Sequence, residues 1–188
     1  MHHEILDWLD YVKNTIGGRY PHLYKGCRVL DIGSLDVCGT AKPYWRDCAY
    51  TGLDIALGPN VDVVSVCHEW DPPEGPYEVV VSFDALEHDM HWRKTLPAMD
   101  RLLKPGGLMV LTCASTGRLK HGTVDSIPSS SPLTVACGGE WGSYYANLSE
   151  ADVRSALDIE RIFWSWEFST IRGSMGLDLR MWGLKRNF

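Results

Sequence analysis

Carboxylates and imidazoles recur in this chain where short apolar runs end. Asp31-Ile32-Gly33-Ser34-Leu35-Asp36 closes the run Arg28-Val29-Leu30, and Asp54 closes Tyr50-Thr51-Gly52-Leu53. Ser82-Phe83-Asp84-Ala85-Leu86-Glu87-His88-Asp89-Met90-His91 closes the most apolar run, centred on Val79-Val80-Val81. A glycine after a buried strand lets the backbone turn sharply and approach a ligand. A carboxylate about 20 residues further on stands where ribose hydroxyls are met. It suits a diol because it accepts two hydrogen bonds at once. His88 is the candidate base, since an imidazole titrates near neutral pH; a helix-start residue making structural hydrogen bonds is the competing reading. His88, Asp89 and His91 are also metal-ligand types, but their spacing fixes no coordination geometry, and no metal is assigned.

The elements that must position these groups follow from apolar periodicity. Ile5, Trp8, Leu9, Val12 and Ile16 recur at helical spacing, and Gly17-Gly18 stops that helix. Strands are predicted over Arg28–Ile32, Tyr50–Asp54, Val61–Val66, Tyr77–Phe83 and Leu108–Thr112. A helix is predicted from Trp92, with Leu96, Met99, Leu102 and Leu103 on one face, ended by Pro105-Gly106-Gly107. Ser149-Glu150-Ala151-Asp152 is a capping pattern ahead of a short helix. Ile159–Phe168 and Leu177–Lys185 read as two strands joined across Gly173-Ser174-Met175-Gly176. Apolar strands alternating with helices imply a parallel sheet covered on both faces. The expected fold is a Rossmann-like, doubly wound α/β sheet, mostly parallel, with the last two strands forming an antiparallel edge. One domain is expected over residues 1–188, with residues 1–26 as an N-terminal helix and cap.

Bulk properties narrow the function classes. A length of 188 residues with 45% hydrophobic and 22% charged residues suits one soluble domain. A formal net charge of −6, with no basic run beyond Arg93-Lys94 and Lys185-Arg186, makes a nucleic-acid groove unlikely. The six cysteines form no C-x-x-C pair, so reduced and mostly buried thiols in a cytoplasmic protein are expected. No apolar run reaches the length of a membrane span, and Met1-His2-His3-Glu4 does not read as a signal peptide. The eight tryptophans are expected mainly in the core.

The ligand class can be argued from charge. A dinucleotide site needs three glycines so that backbone can touch the pyrophosphate. Here only Gly33 and Gly39 fit such a spacing, and Leu35 stands at the second position. S-adenosyl-L-methionine has no phosphate and carries a sulfonium and an ammonium. A pocket bordered by Asp31, Asp36, Asp54, Asp84 and Glu87 matches that charge.

Val29-Leu30-Asp31-Ile32-Gly33, Gly52-Leu53-Asp54, Ser82-Phe83-Asp84-Ala85-Leu86-Glu87-His88 and Leu103-Lys104-Pro105-Gly106-Gly107 resemble, in order and spacing, the successive motifs of class I S-adenosylmethionine-dependent methyltransferases of the small-molecule "type 11" sort. The resemblance covers roughly Cys27 to Ser115 and the two-stranded tail. It implies that Asp31 organises the methionine end, that Gly33, Ser34 and Leu35 form the turn beneath it, and that Asp54 accepts from the ribose while Ile55 packs on the adenine. It places Cys67 and His68 at the adenine edge, and Ser82 and Phe83 beside the methyl group. Two departures stand out. Ser34-Leu35-Asp36-Val37-Cys38 replaces a glycine-richer turn, and Val66 stands where an acidic residue often meets the adenine amino group, with His68 or Glu69 as substitutes.

Residues 114–148, rich in Ser, Gly, Pro, Thr and Tyr, follow the fifth strand, at the end where ligands of open α/β sheets sit. They are expected to form a substrate lid, with Arg118, Lys120 and His121 toward an anionic group and Glu140-Trp141-Gly142-Ser143-Tyr144-Tyr145 supplying aromatic walls and hydroxyls. The expected activity is methyl transfer to a small-molecule acceptor. A nicotinamide-dependent oxidoreductase and a binding-only relative without turnover stay as alternatives.

Overall fold

The computed structural model describes residues 3–173 and 176–187. Its centre is a seven-stranded sheet in the order β3-β2-β1-β4-β5-β7-β6. Strands β1 (Arg28–Ile32), β2 (Ala49–Asp54), β3 (Val63–Val64), β4 (Tyr77–Phe83) and β5 (Leu103–Ala114) pair in parallel. Strands β6 (Phe163–Gly173) and β7 (Gly176–Lys185) add the antiparallel edge, with β7 inserted between β5 and β6. The expected Rossmann-like α/β sheet is therefore present. Of the expected tail connection, Ser174 and Met175 lie outside the described residues, as do Met1 and His2 of the N-terminal reading.

The period of two along each central strand sends alternate residues to opposite faces. Leu30, Val80, Met109 and Leu111 enter one core, with Leu96, Met99 and Leu102 of helix α2 (Trp92–Leu102). Val29, Val79, Val81, Leu108 and Val110 enter the other, with Ile5, Trp8, Leu9 and Val12 of helix α1 (His3–Ile16). Both faces of β1, β4 and β5 are thus dry, which is why these segments read as unbroken apolar runs. Trp8, Trp45, Trp92 and Trp182 are buried, and the Trp45 indole donates to Leu23 O at 2.9 Å.

Four boundaries differ from expectation. Strand β3 shrinks from Val61–Val66 to Val63–Val64, because Asp62 turns its carboxylate to Gly52 N (2.8 Å) and pairing ends with Ser65 N on Asp54 O. Strand β5 starts at Leu103, not Leu108; Pro105-Gly106-Gly107 sits inside it as an irregularity facing Tyr77–Val79, with Gly106 at φ 73°. Residues Ile159–Ile162 form a one-turn helix, α6, because Asp158 caps it by accepting from Arg161 N, so β6 starts at Phe163. The β1–β2 crossover carries only a 3-10 turn, Lys42–Trp45, in place of a full helix, and α1 covers that face. The thiols are also less buried than expected: Cys27, Cys67 and Cys113 are buried, while Cys38 and Cys137 are exposed. Among the described residues, no helix is long and apolar enough to cross a membrane.

Helix α5 (Glu150–Ala156) starts at a reciprocal cap: Asp152 N donates to Ser149 Oγ, and Ser149 N donates to Asp152 Oδ2 at 2.9 Å. Losing such a cap costs about 1 kcal/mol. Ser149→Ala is expected to lower the melting temperature by about 2–4 °C, measured by calorimetry; an unchanged midpoint would show that the cap contributes nothing.

Candidate active site

The sheet order reverses between β1 and β4, and a crevice opens beyond their carboxyl ends. Gly33 makes the turn after β1 at φ 75°, and a Cβ built on it would lie 2.2 Å from Ala85 Cβ in the turn after β4. No side chain fits between these two turns. Gly33 N and Ser34 N both donate to Leu53 O, at 2.9 and 3.2 Å. The irregular stretch after Gly33 is held by Asn60, whose side-chain amide donates to Ser34 O (2.9 Å) while Ser34 Oγ donates to Asn60 O (3.1 Å). Asn60, at φ 68°, adopts the left-handed conformation that Asn tolerates better than most residues. A brace from a distant loop thus takes the place of extra glycines.

The crevice is a cavity of about 380 Å³, within the range of small-molecule sites. Asp31, Gly33, Ser34, Leu35, Asp54, Ile55, Cys67, Ser82, Phe83, His88, Arg118 and His121 line it. Those twelve expected site residues, from five separate stretches of chain, meet at one place. His68, Tyr144 and Tyr145 do not line it. His68 stacks edge-on against His91 and faces Glu69, with Nε2 3.8 Å from its carboxylate. Tyr144 packs on the α2-side core, and Tyr145 lies behind the wall, against the rings of His88 and His121. Among the expected carboxylates, Asp31, Asp54 and Asp84 line the cavity. Asp36 is exposed and accepts from Gly39 N at 2.6 Å, and Glu87 is buried behind the wall.

Asp31 is buried and accepts from Tyr50 Oη at 2.7 Å. Burial pushes its carboxyl up to about 7, against the Tyr50 hydrogen bond, and the Asp54 charge pushes the same way. Asp54 accepts from Leu35 N (3.0 Å) and Ile55 N (2.8 Å), which aim its carboxylate, and burial raises it as well. Asp84 sits at φ 50°, pinned by Thr112, whose hydroxyl donates to its carboxylate at 2.9 Å and whose carbonyl accepts from Asp84 N. Such strain persists where surrounding structure over-determines it. His88 is buried, and burial followed by the nearby His121 brings its imidazole down to about 3. Arg118 is buried and paired with Asp178. The adenine-edge candidates are Ser65, Val66 and Cys67; Glu69 is exposed and does not reach the cavity.

Residues 114–148 follow β5 and contribute part of the cavity wall. They contain short helices α3 (Pro132–Cys137) and α4 (Gly139–Ser143), and Ser129–Thr134 and Trp141 line the pocket. Trp141 belongs to the Glu140–Tyr145 stretch expected to supply aromatic walls, whereas Ser129–Thr134 were not singled out. Their only sequence signal is the Ser-Pro-rich composition, which marks a loop without saying which side chains turn inward.

Comparison with known proteins agrees with this geometry. Residues 2–147 match the family described as "Methyltransferase domain". The chain belongs to that family. It is similar to the ubiquinone biosynthesis O-methyltransferase of Roseobacter denitrificans, at 31% identity over 134 residues, covering 58% of this chain and 52% of that protein. The corresponding Maricaulis maris enzyme matches at 30% identity over 58% of this chain and 50% of its own length. The chain thus spans about half the length of the curated relatives it matches. Among solved structures, the fold resembles the 1,6-didemethyltoxoflavin-N1-methyltransferase of Burkholderia thailandensis, with TM-score 0.59 and 16% identity, covering 99% of this chain and 91% of that one. It also resembles the magnesium protoporphyrin IX methyltransferase of Synechocystis PCC 6803, with TM-score 0.59 and 15% identity over 95% and 78%. Those two similarities concern the fold. The membership agrees with the class I S-adenosylmethionine-dependent pattern of the four motifs.

The raised Asp31 carboxyl has a measurable consequence in the methyltransferase chain without ligand. An unfolded aspartate ionises near 3.9, and this folded one near 7. Between those values unfolding releases a proton, so its contribution to stability falls as pH rises from about 4 to 7 and is level above. Asp31→Asn is expected to remove up to one proton's worth of that slope in denaturant titrations run across this window. An identical slope in the variant would refute the shift.

Proposed function

We propose that this chain moves a methyl group from S-adenosyl-L-methionine to a small-molecule acceptor by in-line displacement at carbon. The observation that carries the reading is a cavity at the sheet's switch point lined by the carboxylates of Asp31, Asp54 and Asp84, with a turn built on one glycine. A cationic nucleoside suits that charge and a diphosphate does not. The family membership supports the same reading over an oxidoreductase. Curated relatives named as O-methyltransferases support an oxygen acceptor; the identity of that acceptor is left open.

In this reading Asp31, with Gly33, Ser34 and Leu35, holds the methionine end, where the ligand's ammonium supplies the charge the buried carboxyl lacks. Asp54 accepts from the ribose diol. Ile55 packs against the adenine and Cys67 borders its edge. Ser82 and Phe83 lie under the cofactor beside the methyl group. Ser82 Oγ donates to Ile32 O at 2.9 Å, so its role is to hold β1 and β4 at the spacing the cofactor needs. Substrate enters beneath residues 114–148, against Arg118 and His121, with Tyr145 backing the wall. Holding nucleophile and methyl carbon in line can supply about 7–11 kcal/mol. His88, which lines the cavity, is assigned as the proton acceptor when the nucleophile is a hydroxyl; lowered to about 3 by burial, it is neutral and able to accept, but as a weak base. We place the chain in the cytoplasm on its cysteine spacing, and read its partner as a small molecule with no nucleic acid involved.

Titration calorimetry with S-adenosylhomocysteine is expected to give micromolar binding, and NADH none. Asp54→Ala removes hydrogen bonds worth about 1.5–3 kcal/mol, which is roughly a 10- to 150-fold loss of affinity. Heat with NADH and none with S-adenosylhomocysteine would overturn the reading. Cofactor binding without turnover across a panel of hydroxylated and amino acceptors would instead support the binding-only alternative.

A further inference from the structure

Beside the cavity, three buried side chains of metal-ligand type come together. Glu87 and His88 come from the turn after β4, and His121 from the segment after β5; one ligand-type atom from each lies within 4.8 Å of the others. Glu87 is 1% exposed, His88 4% and His121 7%. Glu87 Oε1 accepts from Ala114 N at 3.1 Å, which fixes the carboxylate. Glu87 Oε2 and His88 Nδ1 are buried without a hydrogen-bond partner. Buried polar atoms in that state are uncommon and call for an explanation, one of which is a missing ion. His121 Nδ1 lies 2.9 Å from Leu119 O. When Nδ1 donates to a backbone carbonyl, Nε2 carries the lone pair, the usual arrangement of a metal-ligating histidine. The nearby cation, Arg118, makes its ion pair with Asp178 and only partly offsets the burial of Glu87.

We propose that Glu87, His88 and His121 form a divalent metal site for a borderline ion of the zinc, cobalt or iron(II) kind. Two imidazoles and one carboxylate are the donor set those ions favour. A tetrahedral shell with bonds of about 2.0–2.1 Å places donors about 3.4 Å apart, so binding draws the three side chains inward from their present 4.8 Å limit. Tyr145 braces both imidazoles, with ring centroids 5.6 Å from His88 and 5.0 Å from His121. Three protein donors leave a position for water or an acceptor oxygen, and His88 and His121 both reach the cavity wall. The site supplies a Lewis acid where a hydroxyl acceptor would lose its proton, and His88 then acts as a ligand and not as a free base. The metal site itself does not rest on the methyl-transfer reading.

The test is titration of the full chain with cobalt(II) chloride, followed by visible absorption and by competition with zinc(II). It is run in a background with His2→Ala and His3→Ala, so that the N-terminal histidines do not contribute. One cobalt per chain is expected, with ligand-field bands that zinc abolishes. His88→Ala, His121→Ala and the near-isosteric Glu87→Gln are each expected to weaken binding by at least about tenfold. Circular dichroism and S-adenosylhomocysteine calorimetry identify the variants that stay folded. If the folded parent shows no bands, or if the bands survive in every folded variant, the site is refuted. Failure of S-adenosylhomocysteine binding with the cobalt bands intact would overturn the methyl-transfer reading and leave the metal site standing.

Discussion

The rest of the site depends on the close passage of two turns at the switch point. The turn at Gly33 and the turn at Ala85 approach so closely that even a methyl group on Gly33 has no room. From that contact the neighbouring positions follow. Strand β1 must end at Ile32, Asp31 is drawn below the turn into a dry environment, and Leu35 N comes within 3.0 Å of Asp54. A buried carboxylate held mainly by one tyrosine hydroxyl is costly in isolation. In the proposed reading, a cationic ligand in the cavity above would offset that cost. Charge demand and backbone geometry are thus two aspects of one feature, and neither makes sense without the other.

Elements buried on both faces were legible in the sequence because they need no knowledge of their neighbours. Val79-Val80-Val81 reads as a central strand wherever it is placed, since both faces must be dry. The reading weakens where a polar side chain decides a boundary. Asp62 ends β3 early by bonding a residue of β2, and Asp158 turns Ile159–Ile162 into a helix although the segment is apolar enough for a strand. Pro105-Gly106-Gly107 looked like a helix stop, but the helix has already ended at Leu102. The chain enters β5 before those residues, which pairwise pattern cannot show because the irregularity depends on Tyr77 across the sheet.

The site divides in the same way. Asp31, Gly33, Asp54, Ser82 and Phe83 line one cavity because they occupy ends of strands, which the fold brings together and which are legible in the sequence. The braces were invisible. Asn60 replaces the missing glycines through side-chain bonds to Ser34, a contact across 26 positions that no local pattern contains. The placement of Tyr144 and Tyr145 went astray for a related reason. Adjacent residues in an irregular segment point in different directions, and here one meets the core and the other backs two histidines.

The segment over the cavity links these observations. It is stapled at both ends to the elements that build the site: Leu148 N donates to Ala114 O, Ala146 N to Glu87 O, and the Asn147 amide to Arg118 O. Glu87 therefore receives a backbone donor on its carbonyl from the far end of the segment and one on its carboxylate from the end of β5. His121 reaches His88 only because Gly122 lies flat against that imidazole, where a Cβ would come within 2.4 Å of Cε1. These bonds hold His121 beside Glu87 and His88, so the same segment that supplies part of the cavity wall also keeps that cluster together.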